Sequence, residues 1–132
     1  MKHNLEDDHY CFVCGEENPS GLHLTFAPFD GEVRTEFTPQ KIHQGYKDIV
    51  HGGIISAILD EAMVKAALMQ GMQAVTAEIT IRFKNLLMAG EKAFIEAHIL
   101  RMNKKIIETA AIIKKSDNTP VAEGHAKLLR QG

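Results

Sequence analysis

The sequence has little cysteine, no excess of basic charge and no uninterrupted hydrophobic run, and each shortage removes a class of protein. Two cysteines in 132 residues build no disulfide framework of the kind that staples small secreted domains, so the default compartment is a reducing cytoplasm. Lys and Arg total 15 against 17 Asp and Glu, a net charge of −2, and no stretch gathers basic residues with aromatics. A nucleic-acid partner is therefore not expected. The longest apolar stretch, Ile54 to Met69, is interrupted by Asp60, Glu61 and Lys65, and the opening MKHNLEDDHY is polar and acidic. Neither a membrane span nor an export signal is read. Gly-x-Ser-x-Gly, Gly-x-Gly-x-x-Gly and the P-loop are all missing, which argues against a serine hydrolase elbow and against a nucleotide-phosphate cradle.

What is present is ordinary material for one domain: 45 % hydrophobic and 24 % charged residues, in a chain long enough to bury a core without metal or disulfide staples. Residues 1–21 show neither hydrophobic period and are taken as an irregular N-terminal segment carrying Cys11-x-x-Cys14; residues 22–132 form the single domain. Leu22, Leu24 and Phe26 alternate with polar neighbours up to Ala27, Asp30-Gly31 supplies a tight turn, and Val33, Thr35 and Phe37 alternate after it. This predicts a hairpin. Residues 38–50 lapse into a polar loop, and loops of this length are often functional.

IISAILDEAMVKAALMQ then runs without Pro or Gly until Gly71, which predicts a helix of about 18 residues, roughly 27 Å, apolar around most of its circumference. Ala77, Ile79, Ile81 and Phe83 alternate strictly in the next run, and Lys92–Met102, Ile106–Lys114 and Val121–Leu129 follow as further strands. Two strands, one long helix and a four-strand meander make an α+β fold, an antiparallel sheet wrapped on a single helix. Ala110, Ile112 and Leu100 on the sheet's other face point to oligomerisation.

The chemistry concentrates around that helix. His51-Gly52-Gly53 at its start leaves backbone N–H groups in a positive potential, open to a ligand oxygen, although a plain helix start capped by His51 accounts for the same residues. Asp60 in the middle of an apolar helix is costly unless paired or used; its structural partner would be Ser56 or a strand residue. Glu61, about 100° further around, is the other candidate carboxylate. Gly52 and Asp60 lie about 12 Å apart along the axis. One helix cannot bring both to one carbonyl carbon, so joint action requires two subunits related by a two-fold axis. Cys11-x-x-Cys14 is half of a zinc site that His3 and His9 could complete; a redox pair or plain thiols are the alternatives, and no metal is assigned. Lys84, Arg101, Lys104 and Lys105 are candidate phosphate contacts.

The order of elements, with V-H-G-G-I-I-S-A-I-L-D-E-A and the lead-in C-F-V-C-G-E-E-N-P-S-G-L-H-L-T-F, resembles the hotdog-fold acyl-CoA thioesterases, in the branch typified by the phenylacetic-acid-degradation enzymes. The resemblance implies a hotdog fold and hydrolysis of an acyl-CoA to free acid and CoA, with no cofactor. It implies that the Gly52 N–H polarises the thioester carbonyl while Asp60 of a partner subunit serves as nucleophile or general base. His51 and Gly53 would hold the thioester region, Gln44 would orient water or carbonyl, and Thr76 would sit in the pocket. A homodimer, or a homotetramer built from two dimers, is implied. The alternative is a non-catalytic acyl-CoA-binding or regulatory hotdog domain; a hotdog dehydratase lacks its His/Asp or His/Glu arrangement here.

Overall fold

The computed structural model describes residues 4–131. Strands β1 (Ala27–Phe29) and β2 (Glu32–Phe37) precede a turn of 3₁₀ helix (Lys41–His43) and the helix α1 (Gly52–Leu68). Strands β3 (Ala74–Phe83), β4 (Ala93–Met102), β5 (Ile106–Lys115) and β6 (Pro120–Arg130) follow. All pair antiparallel in one six-stranded sheet of order β1-β2-β4-β5-β6-β3, with α1 packed across β2 to β6. This is the α+β hotdog arrangement that the sequence led us to expect.

The helix buries Ile55, Ile58, Leu59, Ala62, Met63, Ala66 and Ala67, a stripe at three- and four-residue spacing that faces the sheet. Ile54, Asp60, Glu61 and Lys65 around it are half-buried. It begins two residues before the apolar run, because His51 caps it: the Gly53 N–H donates to His51 Nδ1 at 2.8 Å. It ends where Gly71 predicts. Gly71 has φ +83°, its N–H donates to Leu68 O, and the Met72 N–H donates to Ala67 O, the paired bonds of a Schellman motif. Under the helix, β5 presents Ile107, Thr109, Ala111 and Ile113, and β4 presents Ala93, Ile95 and Ala97, all buried in alternation.

Two expectations are corrected. The alternation from Leu22 to Ala27 does not form a strand; β1 is only three residues, Ala27–Phe29. Leu24 is buried as the alternation requires, but the N–H groups of Leu22 and Leu24 donate to the carbonyls of Phe12 and Val13, so this stretch pairs with the N-terminal segment. The turn itself stands, with Asp30 and Gly31 both at positive φ (51° and 78°) between paired Phe29 and Glu32.

The second correction concerns the meander, which has three strands and not four. Both edges of β4 are occupied, by β2 and β5, so β3 pairs with β6 at the far edge of the sheet. Residues 84–91 must then return across the end of the sheet. That crossover is tied down by Lys84 N–H to Val121 O at 2.8 Å, Val50 N–H to Leu87 O at 2.9 Å and Gly90 N–H to Pro39 O at 2.7 Å. It thereby closes against the loop that leads into α1. Beyond β3, the outer edge of a ten-residue strand remains open among the described residues.

Candidate functional site

The loop before α1 is rigidly braced. The Gln40 N–H donates to His43 Nδ1, the Asp48 N–H donates to Gln44 Oε1 at 3.1 Å, and the His51 N–H donates to His43 O at 2.9 Å. Burial holds the His43 imidazole below the usual histidine pKa, in keeping with an Nδ1 that must stay unprotonated to accept from Gln40. Gln44 therefore spends its carbonyl on the loop's own turn, where Asp48 sits at φ 64°.

These braces present His51 and Gly52 at the mouth of a cavity of about 700 Å³. Tyr46, Ile49, Ile55, Phe83 and residues 84–87 line it with them. The walls are mostly apolar. Among the described residues the Gly52 N–H donates to nothing, whereas the Gly53 N–H is taken by His51. Because His51 Nδ1 accepts that bond, its ring proton is assigned to Nε2, which makes that nitrogen a donor. Two donors thus stand at a helix N-terminus beside an apolar chamber, the arrangement that stabilises an oxyanion. A Cβ on Gly52 would come within 3.3 Å of Phe83 Cζ, so the bare glycine also keeps the approach open.

Tyr46 and Ile42, 87 % and 84 % exposed, belong to the same loop, and neither was singled out from the sequence. Large apolar side chains inside a polar loop were the available signal.

Asp60 lies two turns further along α1. Thr76 Oγ1 donates to Asp60 Oδ1 at 2.5 Å, and both side chains are half-buried. No donor reaches Asp60 Oδ2 among the described residues. Ser56, the other partner considered for Asp60, donates instead to Gly52 O at 2.8 Å. A β-bulge makes the Thr76 contact possible: Thr76 pairs with Leu128 and Glu78 with Lys127, leaving Ala77 extra. Strict alternation puts Thr76 opposite the Ile79–Ile81–Phe83 face, and the bulge reverses that parity so that Thr76 meets the helix. Neither Asp60 nor Thr76 lines the Gly52 cavity.

Glu61 has different partners. Its Oε2 accepts from Cys14 Sγ at 2.8 Å and from Cys11 Sγ at 3.3 Å, so the carboxylate joins the N-terminal segment rather than Thr76. The Cys14 thiol is pushed up to about 12 by burial and by the adjoining Glu61 carboxylate. Of the histidines considered as companions of the cysteines, His9 is exposed and turned toward Asp7, and His3 lies outside the described residues.

The family profile described as "Thioesterase superfamily" matches residues 47–122, from the braced loop through α1 to the start of β6. The chain belongs to the thioesterase superfamily. It is 26 % identical over 98 residues to the mouse (Mus musculus) acyl-coenzyme A thioesterase THEM5, spanning 74 % of this chain but only 40 % of that relative's length. The E. coli PaaI protein from the phenylacetic acid degradation operon superposes with a TM-score of 0.79 at 24 % identity, covering 84 % of this chain and 81 % of that one. The smu.793 protein of Streptococcus mutans, solved bound to acetyl-CoA, gives a TM-score of 0.78 at 17 % identity over 83 % and 89 % of the two chains. At these identities the two structures establish the shared fold. No helix among the described residues is long and apolar enough to cross a membrane.

Proposed function

We propose that this thioesterase-superfamily chain hydrolyses an acyl-CoA, releasing the free acid and CoA. The observation that carries the proposal is the Gly52 N–H, which has no acceptor among the described residues and opens on an apolar cavity large enough for an acyl group. In this reading the thioester carbonyl accepts from Gly52 N–H and from His51 Nε2–H, and the α1 dipole adds to the stabilisation of the developing oxyanion. Gly53 lets the chain fold tightly under the His51 ring: a Cβ there would sit 3.0 Å from His51 Nδ1. Lys84, whose Nζ lies 3.1 Å from Glu123 Oε1, lines the same cavity and is the cation there for a CoA phosphate to share.

The Asp60 that acts here belongs to a second copy of the chain, since eight residues of helix separate it from Gly52 on its own α1. Asp60 takes a proton from water as it attacks, or attacks directly and is released by water afterwards. In either route the C–S bond breaks and CoA leaves as thiolate. Thr76 holds Oδ1 and fixes the carboxylate, leaving Oδ2 for the reaction. A homodimer is supported by the open edge of β3 and by exposed apolar residues along it and the cavity rim: Ile79, Phe83, Leu86, Tyr46 and Ile42. Pairing of two such dimers would give a tetramer. The two free thiols suit a cytoplasmic setting.

The test is thiol release from a panel of acyl-CoAs, acetyl to palmitoyl plus phenylacetyl and benzoyl, by wild type and Asp60→Asn. Hydrolysis by wild type that collapses in the variant supports the assignment. Tight binding of the same panel with no turnover would make the chain an acyl-CoA-binding domain instead.

A further inference from the structure

We propose that Cys11, Cys14 and Glu61 form a zinc site that fastens the N-terminal segment to the middle of α1. The three ligand atoms lie within 4.8 Å of one another, although 47 and 50 residues separate the cysteines from the carboxylate. A tetrahedral zinc with Zn–S near 2.3 Å and Zn–O near 2.0 Å sets S···S at roughly 3.8 Å and S···O at roughly 3.5 Å. The contacts of 2.8 and 3.3 Å from Glu61 Oε2 to the two sulfurs therefore need to open by less than about 1 Å.

The turn that carries the cysteines is built for convergence. Gly15 N–H donates to Cys11 O at 2.8 Å, and a Cβ at Gly15 would lie 2.4 Å from Cys11 N and 2.7 Å from His9 O. Only glycine lets the backbone close this tightly. Both thiols emerge on one side, toward α1, where Glu61 meets them.

The donor set selects the ion. Two thiolates favour a borderline-soft cation such as zinc over magnesium or calcium, and three protein ligands leave the fourth position to water. Binding replaces the two thiol protons, which pass to solvent. Two thiolates and a carboxylate carry three negative charges against the two positive charges of zinc. Lys65, one turn beyond Glu61 on α1, lines the same surface cavity as Cys14 and offsets the remainder. The site differs from the one considered on sequence alone: Glu61 supplies the third ligand, and His9 is not among them.

The test uses the full chain, purified under reducing conditions and loaded with Zn²⁺ or, as a spectroscopic probe, Co²⁺. We expect one zinc per chain by elemental analysis, thiolate-to-cobalt charge-transfer absorption, and the intense visible bands of tetrahedral cobalt. Zinc should raise the Tm of wild type, and chelation should return it. Cys11→Ser and Cys14→Ser should each lose the charge-transfer intensity of one thiolate, and Glu61→Gln should weaken zinc by at least about tenfold while keeping both. Absence of stoichiometric metal in folded wild type at micromolar free zinc would overturn the proposal. So would a Glu61→Gln protein that binds as tightly as wild type with an unchanged cobalt spectrum.

Discussion

Asp60 and Glu61 are neighbours on α1, yet their carboxylates meet opposite surroundings. Asp60 faces β3 and receives one hydroxyl donor, from Thr76, which leaves Oδ2 without a protein partner among the described residues. Glu61 faces the N-terminal segment and receives two thiols on a single oxygen. A rotation of about 100° between consecutive helical residues is enough to send identical chemistry into two different sites. In the proposed reading one carboxylate serves the reaction and the other anchors the N-terminal segment.

The sharpest way to break this contrast is Asp60→Asn. Its amide oxygen can still accept from Thr76, so the fold should keep its Tm to within a few degrees, while kcat falls by roughly 10³-fold, mid-range for loss of a positioned base. Turnover within a few-fold of wild type would leave the carboxylate a purely structural partner of Thr76. Nearly as large is the effect expected of Gly52→Pro, which removes the N–H. His51 already has φ −62° and ψ 132°, as a residue before proline requires, and proline is tolerated at the first helical position. Phe83, 52 % exposed, can turn away from the ring. We expect kcat to drop about 10²- to 10³-fold, against a much smaller loss in Gly52→Ala, which keeps the donor. Equal losses in the two variants would mean that bulk beside Phe83, and not the amide, is what matters.

Thr76→Val tests the Asp60 flank more finely. Removing one hydrogen bond to a charged group should lower kcat about tenfold, with KM little changed. On the opposite flank, Glu61→Gln should make residues 4–21 more susceptible to limited proteolysis, because the segment loses its anchor on α1; an unchanged cleavage rate would separate the thiols from that role. The smallest effect concerns His43. Its folded pKa lies below the unfolded value, so as pH falls through the usual histidine range the unfolded chain takes up a proton that the native loop resists. Stability on that account is intact above this range and declines below it. His43→Asn, which retains an acceptor for the Gln40 N–H, should flatten the dependence of Tm on pH between about 6.5 and the lower folded value.

Much of this was legible in the sequence where the determinant is local. Gly71 ends the helix as its position predicts, Asp30-Gly31 makes the two-residue turn, and the apolar run of α1 is, among the described residues, the one α-helix on which the sheet folds. Determinants that act at a distance were not legible. The alternation of Leu22, Leu24 and Phe26 records burial correctly but cannot say that the backbone partner is Phe12–Val13. The bulge at Ala77 inserts one residue into a perfect alternation and turns Thr76 to the opposite face. β3 is kept from its sequence neighbour β4 because β2, from before the helix, takes that edge. Glu61 reaches Cys14 across 47 residues of chain, so the cysteine spacing alone points only to nearby histidines.

In the proposed mechanism the Gly52 amide of one copy and Asp60 of another act on the same thioester. Exchange between Asp60→Asn and Gly52→Pro protein, each inactive alone, tests it directly by thiol release. If the two groups come from different copies, a randomly exchanged mixture should recover about a quarter of wild-type turnover, because half the dimers are hybrids and each hybrid holds one intact site of two. A mixture that demonstrably exchanges subunits yet stays as inactive as its parents would contradict the account.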